Sequence, residues 1–253
     1  MAQEIFKRYE LKYLLTRAEH EAFREAILPK MAYDTYGDEE GKYNIISLYF
    51  ESSDKKIYYE TVNRLRFRQK LRLRVYDQAT LASPSFIEIK QKFTNVVNKR
   101  RTLIPLKDAY HVLFNSYDER LIHEVDASNP QILREALHFR DLYNLKPATI
   151  VSYDRQAFSG TQPNEEDLRV TFDYNLMCRD HDLALENGPE GIYFTDRDFV
   201  ILEVKVSNSV PFWLSRILSE FKFFRQGFSK FCTSLDVLEG KIVPEPIVRE
   251  VLT

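Results

Sequence analysis

The chain has 253 residues, of which 44% are hydrophobic and 29% are charged. This length suits one large domain or two small ones, and the apolar content is enough for a substantial core. The 36 basic and 38 acidic residues nearly cancel, so the net charge of −2 gives no global attraction for nucleic acid or anionic membranes. The seven glycines form no glycine-rich nucleotide motif, which argues against the common phosphate loops.

Cysteine usage and the absence of targeting patterns indicate a cytoplasmic protein. Cys178 and Cys232 are too few for a disulfide scaffold and lack metal-site spacing, so we expect reduced thiols. The first residues show no signal-peptide pattern, and no apolar run reaches the roughly 18 residues of a membrane span. Because no linker, repeat or low-complexity tract divides the chain, we predict a single domain over residues 1–253.

The first half of the chain alternates between predicted strands and short helices. Thr16 and Glu19 have capping-box spacing and predict a helix start, whereas Pro29 predicts its end. Residues 31–42 are polar and predict a loop. We predict strands at residues 5–13, 44–50, 70–76, 86–92 and 97–104, with helices at residues 16–28 and 54–63.

The second half begins with a helical stretch and returns to strands. Apolar spacings near three and four predict helices that cover part of a sheet, and residues 180–197 are irregular and acidic. We predict helices at residues 107–114, 130–143 and 211–224 and a last one that starts within residues 227–232 and runs to about 238. We predict strands at residues 148–155, 168–174 and 199–207.

One face of the predicted strands is mainly basic, although the whole chain is slightly acidic. A solvated sheet face is the ordinary interpretation of such charges on any single strand. The set as a whole favours a ligand face, because arginine forks match phosphate oxygens. The acidic members of this face are Glu10, Glu88, Asp173 and Glu203. The basic members are Arg8, Lys12, Lys70, Arg72, Arg74, Lys90, Lys92, Lys99, Arg101, Arg155, Arg169 and Lys205.

If the sheet closes, the basic face becomes a lumen and predicts a bound polyanion. Two cations ~4 Å apart repel by roughly 4 kcal/mol at an effective dielectric near 20, and a polyphosphate would relieve this. The few carboxylates would hold a divalent cation. Glu203 and Lys205 alone also fit a surface ion pair. In the lumen, we interpret Glu203 as a metal ligand and Lys205 as a lining cation rather than its salt-bridge partner.

An ordered set of motifs resembles the VTC domain, the polyphosphate polymerase branch of the CYTH or triphosphate tunnel superfamily. The resemblance covers about residues 5 to 240. The motifs are Arg8-x-Glu10-x-Lys12, Lys70-Leu-Arg72-Leu-Arg74, Glu88-Ile-Lys90, Tyr153-Asp-Arg155, Arg169-Val-Thr-Phe-Asp173, Glu203-Val-Lys205 and Phe228-Ser229-Lys230-Phe231.

The resemblance implies an α+β fold, a closed antiparallel β-tunnel of about eight strands with helices packed outside. It implies an enzyme that moves the γ-phosphoryl group of ATP onto a polyphosphate chain with Mn²⁺ or Mg²⁺. A triphosphatase of the same fold and a non-catalytic polyphosphate-binding module stay open as alternatives. The expected partners are ATP and polyphosphate or another triphosphate. No nucleic-acid polymer is expected, since the ligand face lacks the exposed aromatics that stack bases.

Roles carry over from the family position by position. The catalytic set would be Lys12, Arg72, Arg74, Lys90 and Lys205. The phosphate-binding set would be Arg8, Lys99, Arg101, Tyr153, Arg155, Arg169, Ser229 and Lys230, with Glu203 as metal ligand. Arg8 departs from the E-x-E-x-K pattern of the wider superfamily, which removes a metal ligand, and Gly227 stands where a basic residue is expected.

The resemblance does not include the SPX domain and transmembrane segments of eukaryotic members of the family. We therefore expect a stand-alone, catalytic-type domain of the bacterial kind, cytoplasmic and associated with a membrane only through a separate partner protein. Its oligomeric state stays open.

Overall fold

The computed structural model describes residues 4–94, 96–116 and 118–245, which contain ten strands and seven α-helices. The strands are β1 (Ile5–Leu15), β2 (Met31–Tyr33), β3 (Lys42–Glu51), β4 (Phe67–Tyr76), β5 (Pro84–Phe93), β6 (Val96–Pro105), β7 (Lys146–Gly160), β8 (Arg169–Arg179), β9 (Ile192–Tyr193) and β10 (Val200–Val206). The helices are α1 (Arg17–Ile27), α2 (Lys56–Val62), α3 (Leu106–Phe114), α4 (Glu119–Glu124), α5 (Pro130–Leu142), α6 (Phe212–Glu220) and α7 (Lys230–Leu238).

Eight strands close into an antiparallel barrel. Their order around the barrel is β7, β3, β4, β5, β6, β1, β10 and β8, and pairing of β7 with β8 completes the ring. The short strands β2 and β9 extend the edges of β7 and β8. The predicted α+β fold, a closed antiparallel tunnel with helices outside, is therefore confirmed.

The charged and apolar positions of each strand face opposite sides of the barrel wall. In β4 and β5, Arg72 pairs with Glu88, while the flanking Leu71 and Leu73 pair with Ile89 and Ile87. These apolar residues are fully or almost fully buried in a core shared with α3 and α5. Burying one such side chain contributes about 1.5–3 kcal/mol, so the helices fix the apolar face outward and leave the charged face inward.

A second core packs α1 and α6 against β1, β8 and β10. Phe23 of α1, Leu214 of α6 and Phe172 of β8 are fully buried in it. The predicted capping box begins α1: Glu19 N donates to Thr16 Oγ1 (3.2 Å) and Thr16 N donates to Glu19 Oε2 (2.8 Å). In the described part of the chain, no helix is both long and apolar enough to cross a membrane.

Some elements differ from the sequence-based boundaries. The region predicted as a loop at 31–42 begins with β2, and β7 and β8 extend well beyond residues 155 and 174. Both strands are longer because they pair with each other to close the barrel, a contact invisible to local patterning. Helix α6 ends at Glu220, shortly before Lys222 adopts a left-handed φ of 54°.

The segment after α6 returns the chain to the barrel and places α7 at one of its ends. Arg225 forms a β-bridge with Tyr13, and Gln226 N donates to the carbonyl of Lys12 at 2.9 Å. Ser229 then caps α7, because its Oγ accepts from Cys232 N at 3.2 Å. The N-terminus of α7 consequently lies against the lumen.

Candidate functional site

The barrel encloses a cavity of about 1020 Å³ that reaches both of its ends. All eight barrel strands contribute lining residues, and so does the segment that leads into α7. The strand register separates the two ends. Tyr76 pairs with Ile45 near the beginning of β3, whereas Arg68 lies beyond Arg72, which pairs with Tyr49 near the end of β3. The first mouth is lined by Tyr36, Tyr43, Tyr76 and Arg169. The second mouth is lined by Arg64, Arg68, Lys92 and Arg225.

The lumen is strongly cationic. Among the described residues, two carboxylates, Glu10 and Glu203, line the cavity together with sixteen basic side chains. The basic side chains are Arg8, Lys12, Arg64, Arg68, Lys70, Arg72, Arg74, Lys90, Lys92, Lys99, Arg101, Arg155, Arg169, Lys205, Arg225 and Lys230. All fourteen residues proposed from the sequence line this cavity, with Tyr153 and Ser229 as the uncharged members.

Glu203 lies at the centre of one cation cluster. Its Oε1 lies 2.9 Å from Lys12 Nζ, and its Oε2 lies 2.7 Å from Lys205 Nζ. Arg155 and Lys230 each approach Glu203 to 3.6 Å. Burial opposes ionisation, yet these cations, Lys12 foremost, hold the pKa of Glu203 well below its usual range.

The interpretation that Lys205 is not a salt-bridge partner of Glu203 was wrong. The two side chains are two residues apart on one face of β10, and both are buried. Burial therefore favours direct pairing, since a buried ammonium without an anion is costly. Burial also places the pKa of Lys205 well below its usual value, while Glu203 opposes this change.

Glu88 on β5 forms a second cluster with cations from the two neighbouring strands, β4 and β6. Arg72 Nε donates to Glu88 Oε2 at 2.6 Å, and Lys99 Nζ donates to Oε1 at 2.9 Å. Arg74 Nε is 3.9 Å from the same carboxylate. Burial lowers the pKa of Lys99 to about 7 although Glu88 raises it, so this ammonium titrates near neutral pH.

Asp173 anchors the third cluster and ties α7 to the lumen. Arg155 donates to it in a bidentate pair, with 2.6 Å from Nε to Oδ1 and 2.7 Å from Nη2 to Oδ2. Lys230 Nζ lies 2.6 Å from Asp173 Oδ2 and 4.6 Å from the centroid of the Tyr153 ring. Lys70 Nζ donates to Ser229 Oγ at 3.1 Å. The helix start that was predicted within residues 227–232 is thus joined to the barrel wall.

Arg169 is held at the first mouth by two partners. It forms an ion pair with the buried Asp34, and its Nη2 donates to Tyr43 Oη at 2.8 Å. Another predicted cation, Arg101, stacks over Phe86 with 4.6 Å between the guanidinium carbon and the ring centroid. Sequence analysis placed Asp34 in a loop and missed its partner, since 135 residues separate the pair in the chain.

Other lumen residues were absent from the predicted site. Glu10 pairs with Lys90 at 2.7 Å, and Lys70 and Lys92 line the cavity. Strand alternation had already placed these residues on the charged face, so the sequence was sufficient to include them in the predicted site. Tyr49 Oη accepts from Arg72 Nη1 at 2.9 Å. Burial opposes ionisation of Tyr49, but Arg72 and Arg74 lower its pKa to about 8.

The lumen carboxylates fit a divalent cation only together with ligand oxygens. No cluster of three or more His, Cys, Asp or Glu side chains suited to a metal exists within the described residues. Glu10 pairs with Lys205 and Lys12 with Glu203 in the β1–β10 register, so Glu10 and Glu203 are diagonal neighbours on the lumen face. Mg²⁺ commonly uses one or two carboxylates and completes its shell with phosphate and water oxygens, which suits this pair.

The profile of the VTC domain matches residues 7–239 of this chain. The chain belongs to the VTC domain family. Among curated proteins, no match is found.

Several solved structures are similar to this VTC domain at low sequence identity. One is a Hippeastrum protein proposed as an adenylyl cyclase and found to have a dominant triphosphatase activity. The two share 16% identity over 96% of this chain and 98% of that chain, with a TM-score of 0.51. PH1819 from Pyrococcus horikoshii OT3 has 10% identity, coverage of 92% and 100%, and a TM-score of 0.40. The Mimivirus capping enzyme triphosphatase has 10% identity, coverage of 89% and 91%, and a TM-score of 0.37.

Proposed function

We propose that this VTC domain is a polyphosphate polymerase that transfers the γ-phosphoryl group of ATP onto a polyphosphate chain. The observation that supports this is the continuation of the cationic lining to the second mouth. From Arg68 to Tyr76, β4 spans nine residues, and their eight intervals correspond to roughly 20 Å along the axis of a barrel with tilted strands. This distance exceeds the length of three linked phosphates, so the lumen has room for a longer chain.

The three ion-pair clusters would orient the phosphates. Arg72 and Arg155 are each fixed by a carboxylate and carry planar forks suited to phosphate oxygens. Lys12 and Lys90, also paired, would exchange part of their carboxylate contact for phosphate contact when the ligand enters. These side chains form the binding and orienting set, with Arg8, Lys99 and Arg101 along the same wall.

Glu203, with Glu10 beside it, would hold Mn²⁺ or Mg²⁺ together with phosphate oxygens. When bound, such an ion would supply positive charge that offsets the negative charge developing on the phosphates. The protein itself supplies positioning and charge neutralisation, which is most of what phosphoryl transfer requires. The accepting group is a phosphate that is already anionic, so the reaction needs no nucleophilic side chain.

Sizing the product tests this proposal. The purified protein, incubated with ATP and Mn²⁺ or Mg²⁺, should make long polyphosphate that a gel resolves and an exopolyphosphatase removes. Arg72→Ala should abolish synthesis, because Arg72 is an orienting cation of the lumen. Arg216→Ala, a change in an exposed pair of α6, is the matched control and should keep full activity.

Two other outcomes would favour the alternatives. Release of free phosphate from ATP or tripolyphosphate without chain growth would contradict the polymerase and indicate a triphosphatase. Tight polyphosphate binding without turnover under either metal would indicate a binding module. We further propose that residues 1–253 act as one domain in the cytoplasm, and that any membrane association depends on a separate partner protein.

A further inference from the structure

A cluster of exposed apolar side chains lies outside the lumen, where β4 begins and β5 ends. Leu65, Phe67 and Phe93 are 49%, 45% and 59% exposed, and none of the three lines the cavity. Phe67 pairs directly with Phe93 in the β4–β5 register. Single exposed apolar side chains are common on protein surfaces, whereas a cluster of them indicates an interaction site. We call residues 64–68 together with Lys92 and Phe93 the rim patch.

The rim patch also carries four cations and no anion. Arg68 pairs with Lys92 in the β4–β5 register, and Arg64 and Arg66 precede Arg68 in the chain. No Asp or Glu occurs within residues 61–76. Arg66 is exposed and, unlike the other three cations, does not line the cavity. Polyphosphate in the lumen therefore accounts for neither Arg66 nor the exposed apolar side chains.

Backbone hydrogen bonds hold the rim patch in place. Leu65 N donates to the carbonyl of Glu60 at 3.1 Å, which closes the turn between α2 and β4. Thr94 N donates to the carbonyl of Arg66 at 2.8 Å and joins the two sides of the patch. The surface is therefore preformed, and little backbone entropy is lost when a partner binds to it.

The order of residues in the rim patch favours a lipid surface over a protein partner. Residues 64–68 read Arg-Leu-Arg-Phe-Arg, so both apolar side chains of this run have an arginine on either side. Protein interfaces instead collect apolar side chains at a centre that is depleted of charge. The headgroup layer of a membrane accepts both kinds of side chain, since it presents phosphates beside the ends of the acyl chains.

We propose that the rim patch contacts an anionic lipid bilayer, with its apolar side chains at the level of the headgroups and its cations on lipid phosphates. Clusters of about four or more basic residues are typical of surfaces that bind anionic lipids. This inference goes beyond the proposed function and does not depend on it. The patch supplies a weak, reversible contact, because even one acyl chain gives only marginal membrane binding. Stable membrane association would still depend on a separate partner protein.

Vesicle flotation without ATP or metal tests this contact independently of turnover. At low salt, wild type should float with vesicles of phosphatidylserine and phosphatidylcholine and not with vesicles of phosphatidylcholine alone. The double variant Phe67→Ser/Phe93→Ser should bind the anionic vesicles at least about tenfold more weakly, because two rings no longer leave water. Arg66→Ala should weaken binding about fivefold, which is the effect of one basic residue near such a surface.

A matched control and a second ligand separate this contact from the lumen and from misfolding. Phe212→Ser changes a ring on α6 that is 83% exposed, and it should bind vesicles as wild type does. Calorimetry should give the wild-type affinity for tripolyphosphate in all of these variants, because none of the altered residues lines the cavity.

Wild type that stays in solution with anionic vesicles, or floats equally with neutral ones, would overturn the lipid contact. Binding that falls with Arg66→Ala but not with the double variant would also overturn it, since charge attraction alone would then suffice. A further measurement uses Phe67→Trp, whose emission should shift to the blue with anionic vesicles, whereas that of Phe212→Trp should not. Equal shifts, or none, would contradict the contact. Vesicle binding by a protein that makes no polymer would refute the polymerase and leave the contact standing.

Discussion

Replacement of Glu203 by glutamine tests whether this carboxylate holds the lumen cations in place. The change keeps the shape of the side chain and removes the charge that faces Lys12 at 2.9 Å and Lys205 at 2.7 Å. Arg155 and Lys230, both at 3.6 Å, lose part of their compensation as well. Breaking a buried ion pair costs about 3–5 kcal/mol, because the remaining charge stays buried without a partner.

This cost converts into a large change in melting temperature. In a protein of this size, 1 kcal/mol corresponds to about 2–4 °C, so Glu203→Gln should lower Tm by about 6–20 °C in EDTA. Saturating tripolyphosphate should recover most of the loss, since the polyanion replaces the missing charge. The variant should also bind metal-free tripolyphosphate more tightly than wild type, because one lumen anion is gone.

Calorimetric unfolding with a matched control checks this reasoning. Glu220→Gln removes an exposed partner of Arg216 on α6, and its effect should stay within about 0.5 kcal/mol. If Glu203→Gln melts as close to wild type as Glu220→Gln does, Glu203 does not compensate the lumen cations. If tripolyphosphate stabilises the variant less than wild type, the carboxylate contributes to anion binding through something other than charge balance.

Three further predictions concern titration, geometry and the helix cap. Burial sets the pKa of Lys99 at about 7 in the free protein, so its charge is present below that pH and lost above it. The affinity of the protein for tripolyphosphate without metal should therefore fall as the pH rises from 6 to 9, by at most about tenfold per pH unit for each linked proton. Lys99→Arg should make this fall shallower near pH 7. An unchanged profile in that variant would exclude Lys99 as the titrating group. Arg155→Lys loses the bidentate contact with Asp173, so calorimetry should show tripolyphosphate binding that is weaker by at least about tenfold. Unchanged affinity would exclude a positioning role for Arg155. Thr16→Ala removes the helix cap shared with Glu19 and should lower the free energy of unfolding by about 1 kcal/mol, as measured by thermal unfolding. Affinity for tripolyphosphate should not change. A loss of affinity would show that the helix cap and the lumen site are not independent.

The charged lumen could be predicted because strands have a period of two. Alternation alone placed Arg72 and Arg74 opposite Leu71 and Leu73, and the register between β4 and β5 confirms that division. The same periodicity placed every basic strand residue proposed from the sequence on the lumen side. Local patterning was sufficient here because the apolar face is buried by helices along most of the barrel.

The pairing inside the lumen could not be predicted, because partners come from distant parts of the chain. Glu203 on β10 binds Lys12 on β1, and Asp173 on β8 binds Lys230 on α7. Alternation predicts on which side of the barrel wall a side chain lies, but it does not predict which side chain is its partner across the lumen. The lumen is consequently less repulsive than the sequence suggested, since Glu10, Glu88, Asp173 and Glu203 each compensate at least one cation.

The most direct test of a continuous polyanion tunnel compares the binding of short and long polyphosphates. Calorimetry in EDTA gives the affinity of tripolyphosphate and of medium-chain polyphosphate at several salt concentrations. If the cations from the first mouth to the second act as one site, the longer chain binds more tightly and loses affinity more steeply with salt. Equal affinities and equal salt dependence for the two ligands would contradict the continuous tunnel and leave a site for three phosphates.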